Sequence, residues 1–123
     1  MFAIVEDCIT TSTLLSAIIQ DITGKETSEY NSAELFMRDL KVHKVSFTAI
    51  FIDINLPNMN GIDLISLTRK LEGYVETPII ICSSTNSRET IVKALKAGAS
   101  NFLMKPFSKE NIVSILSKLD KDL

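Results

Sequence analysis

Tryptophan is absent from this 123-residue chain, histidine occurs once and cysteine twice. His43 therefore cannot be half of an imidazole pair. The spacing of Cys8 and Cys82 suggests neither a metal knuckle nor a redox pair. Two reduced thiols in a cytoplasmic protein fit better, with Cys82 as strand core. No apolar run approaches the roughly 20 residues that a membrane span needs. The N-terminus, Met1-Phe2-Ala3-Ile4-Val5-Glu6-Asp7, lacks a basic region and meets acid early, unlike a signal peptide. An excess of one charge is missing as well. Thirteen basic side chains against fifteen acidic ones leave a formal net charge of −2. That balance argues against a nucleic-acid binder working by phosphate neutralisation, and suits a protein partner or a small phosphorylated molecule.

What is present is a hydrophobic fraction of 46% in a length that suits one domain, residues 1–123. There is no internal repeat, low-complexity segment or linker. Four short runs, Phe2–Val5, Ala49–Ile52, Ile79–Cys82 and Phe102–Met104, are apolar on successive positions, the pattern of strands buried on both faces. A weak polar segment around Glu26–Tyr30 reads as an edge strand. Helical periodicity marks the stretches between. Leu14, Leu15, Ile18, Ile19 and Ile22 follow a Thr10-Thr11-Ser12-Thr13 cluster suited to capping. Leu35, Phe36 and Leu40 suggest a second helix; Ile62, Leu64, Ile65, Leu67 and Leu71 a third. The fourth runs from about Ser87 through Ile91, Val92 and Leu95 to a stop at Gly98, and the fifth starts at Ser108 with Ile112, Ile115, Leu116 and Leu119. Alternating strands and helices predict an α/β fold: a doubly wound, five-stranded parallel sheet of order 2-1-3-4-5, flavodoxin-like, with five helices.

Each buried run ends in a polar residue: Glu6-Asp7, Asp53, Ser83-Ser84 and Lys105-Pro106. The carboxyl ends of parallel strands share one rim, so these distant positions converge on one crevice. Three carboxylates there repel one another. A hard cation such as Mg²⁺ relieves that conflict and leaves positions for water and phosphate. A lysine and a hydroxyl opposite the acids suit the oxygens of a phosphoryl group, and an aspartate can accept one as nucleophile. Each residue alone has a plainer reading. Asp53 would be a turn carboxylate, and Glu6-Asp7 would cap the first helix. Ser83 and Ser84 would be loop residues, Lys105 and His43 surface residues, and Phe102 a core aromatic that never switches. Their order along the chain tips the balance.

These motifs resemble the receiver domains of two-component response regulators, of the CheY-like kind, over the whole chain. The likeness rests on Glu6-Asp7, on Asp53-Ile54-Asn55-Leu56-Pro57-Asn58-Met59-Asn60-Gly61, on Ser83-Ser84, on Gly98-Ala99-Ser100 and on Lys105-Pro106-Phe107. The spacings are 46 residues from Asp7 to Asp53, 30 on to Ser83 and 22 on to Lys105. The resemblance implies that Asp53 is phosphorylated by a sensor histidine kinase or phosphotransfer protein. It implies Mg²⁺ (or Mn²⁺) on Glu6, Asp7, Asp53 and the backbone carbonyl of Asn55. Ser83 and Lys105 would bind phosphoryl oxygens, Ser83 and Phe102 would form a switch, and the peptide before Pro106 would be cis. The output would be a downstream effector protein bound at the face of the fourth helix, fifth strand and fifth helix. Neither nucleic acid nor membrane would be bound directly, and the chain would be a cytoplasmic monomer or a weak, phosphorylation-dependent dimer. It would catalyse its own Asp chemistry without being a turnover enzyme. Three residues depart from the commoner pattern: Glu6 for Asp, Ser83 for Thr, Phe102 for Tyr.

Rival readings fit less well. A flavodoxin-like FMN binder would set a flavin phosphate against Glu6-Asp7, in a loop without glycine and with no Trp to stack on the ring. A haloacid-dehalogenase-type phosphatase would need Asp-x-Asp at the end of the first strand. One helix after Lys105-Pro106-Phe107 points to a stand-alone regulator. The alternative is an isolated receiver cut from a larger regulator or hybrid kinase, with Leu119–Leu123 entering a linker.

Overall fold

A computed structural model describes residues 1–85 and 87–120. The apolar runs form β1 (Phe2–Val5), β3 (Ala49–Asp53), β4 (Ile79–Ser83) and β5 (Asn101–Met104), and the polar segment forms β2 (Thr27–Tyr30). All pairings in this sheet are parallel, in the order β2-β1-β3-β4-β5. This is the topology the alternation of runs predicts, with the polar strand at the edge. The helices are α1 (Ile9–Thr23), α2 (Ala33–Arg38), α3 (Gly61–Lys70), α4 (Arg88–Ala97) and α5 (Lys109–Asp120). A π-helical turn, Asp39–His43, continues α2. No described helix is long and apolar enough to cross a membrane.

Strand side chains alternate between faces, which divides the core in two. Phe2, Ile4, Phe51, Ile80 and Cys82 meet Leu15 and Ile19 of α1 and Ile112, Ile115 and Leu116 of α5. Ala3, Val5, Ile50, Ile52, Ile79 and Ile81 meet Phe36 and Leu40 around α2, Leu64 and Ile65 of α3, and Ala94 of α4. Fully burying each large side chain contributes about 1.5–3 kcal/mol, so the central strands, not polar β2, hold the sheet.

Several local expectations are corrected. The Thr10–Thr13 cluster does not cap α1: the helix starts at Ile9, with Cys8 at the N-cap and no side-chain cap bond. Ser12 and Ser16 turn instead towards β2, where Ser12 Oγ donates to Glu29 Oε1 at 2.6 Å and Ser16 Oγ lies 2.5 Å from Thr27 Oγ1. Polar contacts thus seat α1 on the edge strand. Leu14, Leu35, Leu67, Val92 and Leu95 are exposed although they belong to the apolar stripes, and α4 buries only Ala94. Of the alternative linker Leu119–Leu123, residues 121–123 lie outside the described residues.

Candidate functional site

The ladder register assembles the crevice. Val5 pairs with Ile52, so Glu6 follows beside Asp53; Asp53 pairs with Cys82, so Ser83 stands one step beyond; Ser83 pairs with Met104, so Lys105 comes next. Asp53 and Ser83 are the last residues of their strands rather than loop residues, because the ladder extends to include them. Behind Asp53 the chain turns through a small antiparallel hairpin, Asn55–Leu56 with Met59–Asn60, into α3. Asn60 caps that helix, its Oδ1 accepting from the Ile62 N–H at 2.7 Å. Gly61 donates its N–H to the Ile54 carbonyl at 2.8 Å. A Cβ on Gly61 would lie 2.3 Å from the Asp53 carbonyl oxygen, so only glycine lets α3 start this close to the strand end.

Carboxylate oxygens of Glu6, Asp7 and Asp53 lie within 4.8 Å of one another; Glu6 and Asp53 are buried and Asp7 is exposed. Lys105 Nζ donates to Glu6 Oε1 at 2.6 Å and lies 3.1 Å from Asp53 Oδ1. The other oxygen of Glu6 accepts from the Cys8 N–H at 3.3 Å. Burial pulls the Lys105 ammonium down, but the hydrogen bonds to Glu6 and Asp53 outweigh it and hold its pKa above the ordinary lysine value. One ammonium among three carboxylates leaves excess negative charge at oxygen donors alone. Such a donor set fits a hard divalent cation and gives a soft metal no sulfur or imidazole ligand. Asp7 and Asn55 line the same open concavity of about 780 Å³. A smaller cavity of about 240 Å³, lined by Phe2, Lys25, Thr48 and Val113 among others, lies at the opposite rim and contains none of these groups.

Ser83 is fully buried, and its Oγ accepts from the Thr85 N–H at 3.1 Å; Ser84 is exposed. Phe102 is half-buried against the core face that carries Ile79 and Ile81. The Lys105–Pro106 peptide is cis. Burial pushes the Cys82 thiol up and out of reactive range. The exposed Cys8 thiol is lowered by hydrogen bonding to Thr11.

Two clusters escape sequence reasoning. Arg69 donates to the carbonyls of Tyr74, Thr77 and Gly98 at 2.7, 2.6 and 2.7 Å; backbone acceptors leave no signature in a side-chain pattern. Tyr30 Oη donates to Asp39 Oδ2 at 2.5 Å, and His43 Nδ1 lies 2.7 Å from Asp39 Oδ1. The four-residue spacing of Asp39 and His43 is its only sequence sign.

The family model of the response regulator receiver domain matches residues 2–117. The chemotaxis protein CheY of Thermotoga maritima is 32% identical over 122 residues, 96% of this chain and 95% of that protein. CheY-3 of Vibrio cholerae is 30% identical over 118 residues, 96% of this chain and 87% of that one. The solved structure of CheY4 from Vibrio cholerae superposes with a TM-score of 0.87 at 26% identity, covering 96% of each chain.

Proposed function

Because the chain belongs to the response regulator receiver domain family, we propose that Asp53 accepts a phosphoryl group from the phosphohistidine of a sensor histidine kinase or phosphotransfer protein. The observation that carries this reading is the convergence of Glu6, Asp7 and Asp53 oxygens within 4.8 Å, with Lys105 Nζ 3.1 Å from Asp53. An Asp53 oxygen attacks phosphorus in line. The P–N bond breaks, its electron pair returns to the donor imidazole, and an acyl phosphate results. Glu6, Asp7, Asp53 and the Asn55 carbonyl would hold Mg²⁺, or Mn²⁺ in its place, which when bound offsets charge on the phosphoryl oxygens. Lys105 pairs with one of those oxygens and the Ser83 hydroxyl donates to another. Hydrolysis of the acyl phosphate returns the carboxylate, so the protein is a switch and not a turnover enzyme.

Residues 1–123 act in this reading as one cytoplasmic receiver domain. It passes its state to an effector protein through α4, β5 and α5, without binding nucleic acid or membrane. The protein is a monomer or a weak dimer formed on phosphorylation. Incubation with Mg²⁺ and a phosphohistidine donor or acetyl phosphate should add one acid-stable, base-labile phosphate per chain. Asp53→Asn should abolish it with the fold intact, since an amide cannot attack phosphorus. Undiminished labelling of that variant would refute the assignment.

A further inference from the structure

Glu6 is 5% exposed and has both of its oxygens engaged, one by Lys105 at 2.6 Å and the other by the Cys8 N–H at 3.3 Å. The lysine is shared unequally, since its contact with Asp53 is 3.1 Å. We infer that Glu6 is a positioning residue that latches Lys105, and that a divalent cation must displace the latch before Lys105 can leave Glu6 and turn wholly to the acceptor carboxylate, which it already touches at the longer distance. This rests on the metal reading proposed above and adds an order to it: cation first, lysine second.

The argument is one of competing cations. A carboxylate oxygen that accepts a short, charge-assisted hydrogen bond cannot also give its full charge to a metal. Lys105 and Mg²⁺ therefore contend for the same buried Glu6 carboxylate. The arm length of glutamate matters. Aspartate at this position would draw the carboxylate back by one carbon–carbon bond, roughly 1.5 Å, too far to keep the 2.6 Å contact with the lysine in place. Glutamate here thus lowers metal affinity and ties Lys105 down until the cation arrives. Once freed, the ammonium has Asp53, or a phosphoryl oxygen upon it, as its remaining acidic partner in the crevice among the described residues.

The test is a double-mutant cycle on Mg²⁺ affinity of the unphosphorylated protein, read from amide chemical-shift titrations, which report binding without any activity. Glu6→Asp should bind Mg²⁺ roughly tenfold more tightly than wild type, the scale of one hydrogen bond to a charged group. Lys105→Gln should also tighten binding, through loss of both latch and repulsion. Glu6→Asp added to Lys105→Gln should then change affinity by less than about twofold, because coupled residues are non-additive. Effects that multiply across the cycle, or a Glu6→Asp loss of equal size in both backgrounds, would overturn the latch while leaving the metal site in place. If none of the four proteins binds millimolar Mg²⁺, the metal reading falls first and the latch with it.

Discussion

Tyr30 and Asp39 illustrate how much one polar contact decides at the scale of single residues. Tyr30 closes the edge strand, and its backbone carbonyl accepts the Glu6 N–H at 2.9 Å, so its placement bears on the acidic cluster. Its ring packs edge-on against Phe36 and Phe47, while its hydroxyl donates to Asp39. Burial and that carboxylate together raise the phenol's pKa. The Asp39 carboxyl is held below its ordinary value, first by the hydrogen bond from Tyr30 and then by that from His43. A depressed carboxyl contributes stability that is complete above the ordinary aspartate value, about 3.9, and is lost as pH falls through the lower folded value. The carboxyl carbon of Asp39 should accordingly titrate below that of an exposed aspartate. Tyr30→Phe should move its midpoint upwards, and a midpoint indifferent to the substitution would show that Tyr30 does not hold the carboxyl.

Among the elements, α4 is held at its C-terminal end by a side chain of α3. Its C-terminus is pinned by Arg69, which donates to the Gly98 carbonyl and to the carbonyls of the loop before β4. Gly98 has φ of +118°, and a Cβ there would lie 2.8 Å from Arg69 Cγ, so backbone conformation and side-chain packing both require glycine. Ser87, at the other end, makes no side-chain cap bond. Arg69→Met should cost about 2 kcal/mol in urea unfolding by leaving several carbonyls without donors. Arg69→Lys should recover little of it, since an ammonium lacks the planar fork. A loss below about 0.5 kcal/mol, typical of surface substitutions, would mean the clamp is idle. Exposed Val92 and Leu95 on α4 and half-buried Phe102 on β5 give the proposed output face its apolar surface. Beryllofluoride with Mg²⁺ should shift amides from Asp53 into residues 84–91 and 101–107, with smaller changes near the pinned residues 95–98. Ser83→Ala should shrink the response to the metal site. Wild-type changes confined to the acidic cluster would leave Phe102 as simple core.

At the scale of the whole molecule, four parallel ladders and right-handed crossovers bring the scattered Glu6, Asp7, Asp53 and Lys105 into one crevice. That much is legible in the sequence, because β-branched runs buried on both faces leave little choice of sheet, and their polar ends must share a rim. Side-chain partnerships were not legible. Lys105 could have faced solvent or phosphate, and the structure ties it to Glu6 across 99 residues of chain. The Thr10–Thr13 run looks like a cap, yet β2 recruits the hydroxyl of Ser12 from within it and that of Ser16 one turn on, a tertiary contact that local propensity does not encode. Val92 and Leu95 keep helical spacing on an element that buries little more than Ala94. The central claim, that the converged carboxylates make Asp53 a phosphoryl acceptor, is tested most directly by borohydride reduction of the phosphorylated protein followed by peptide mapping. Borohydride reduces an aspartyl phosphate to an alcohol at the acceptor residue and leaves phosphoserine and phosphohistidine untouched. The expected result is a single reduced residue at position 53, dependent on Mg²⁺; phosphate retained on His43, Ser83 or Ser84, or reduction at Glu6 or Asp7, would contradict it.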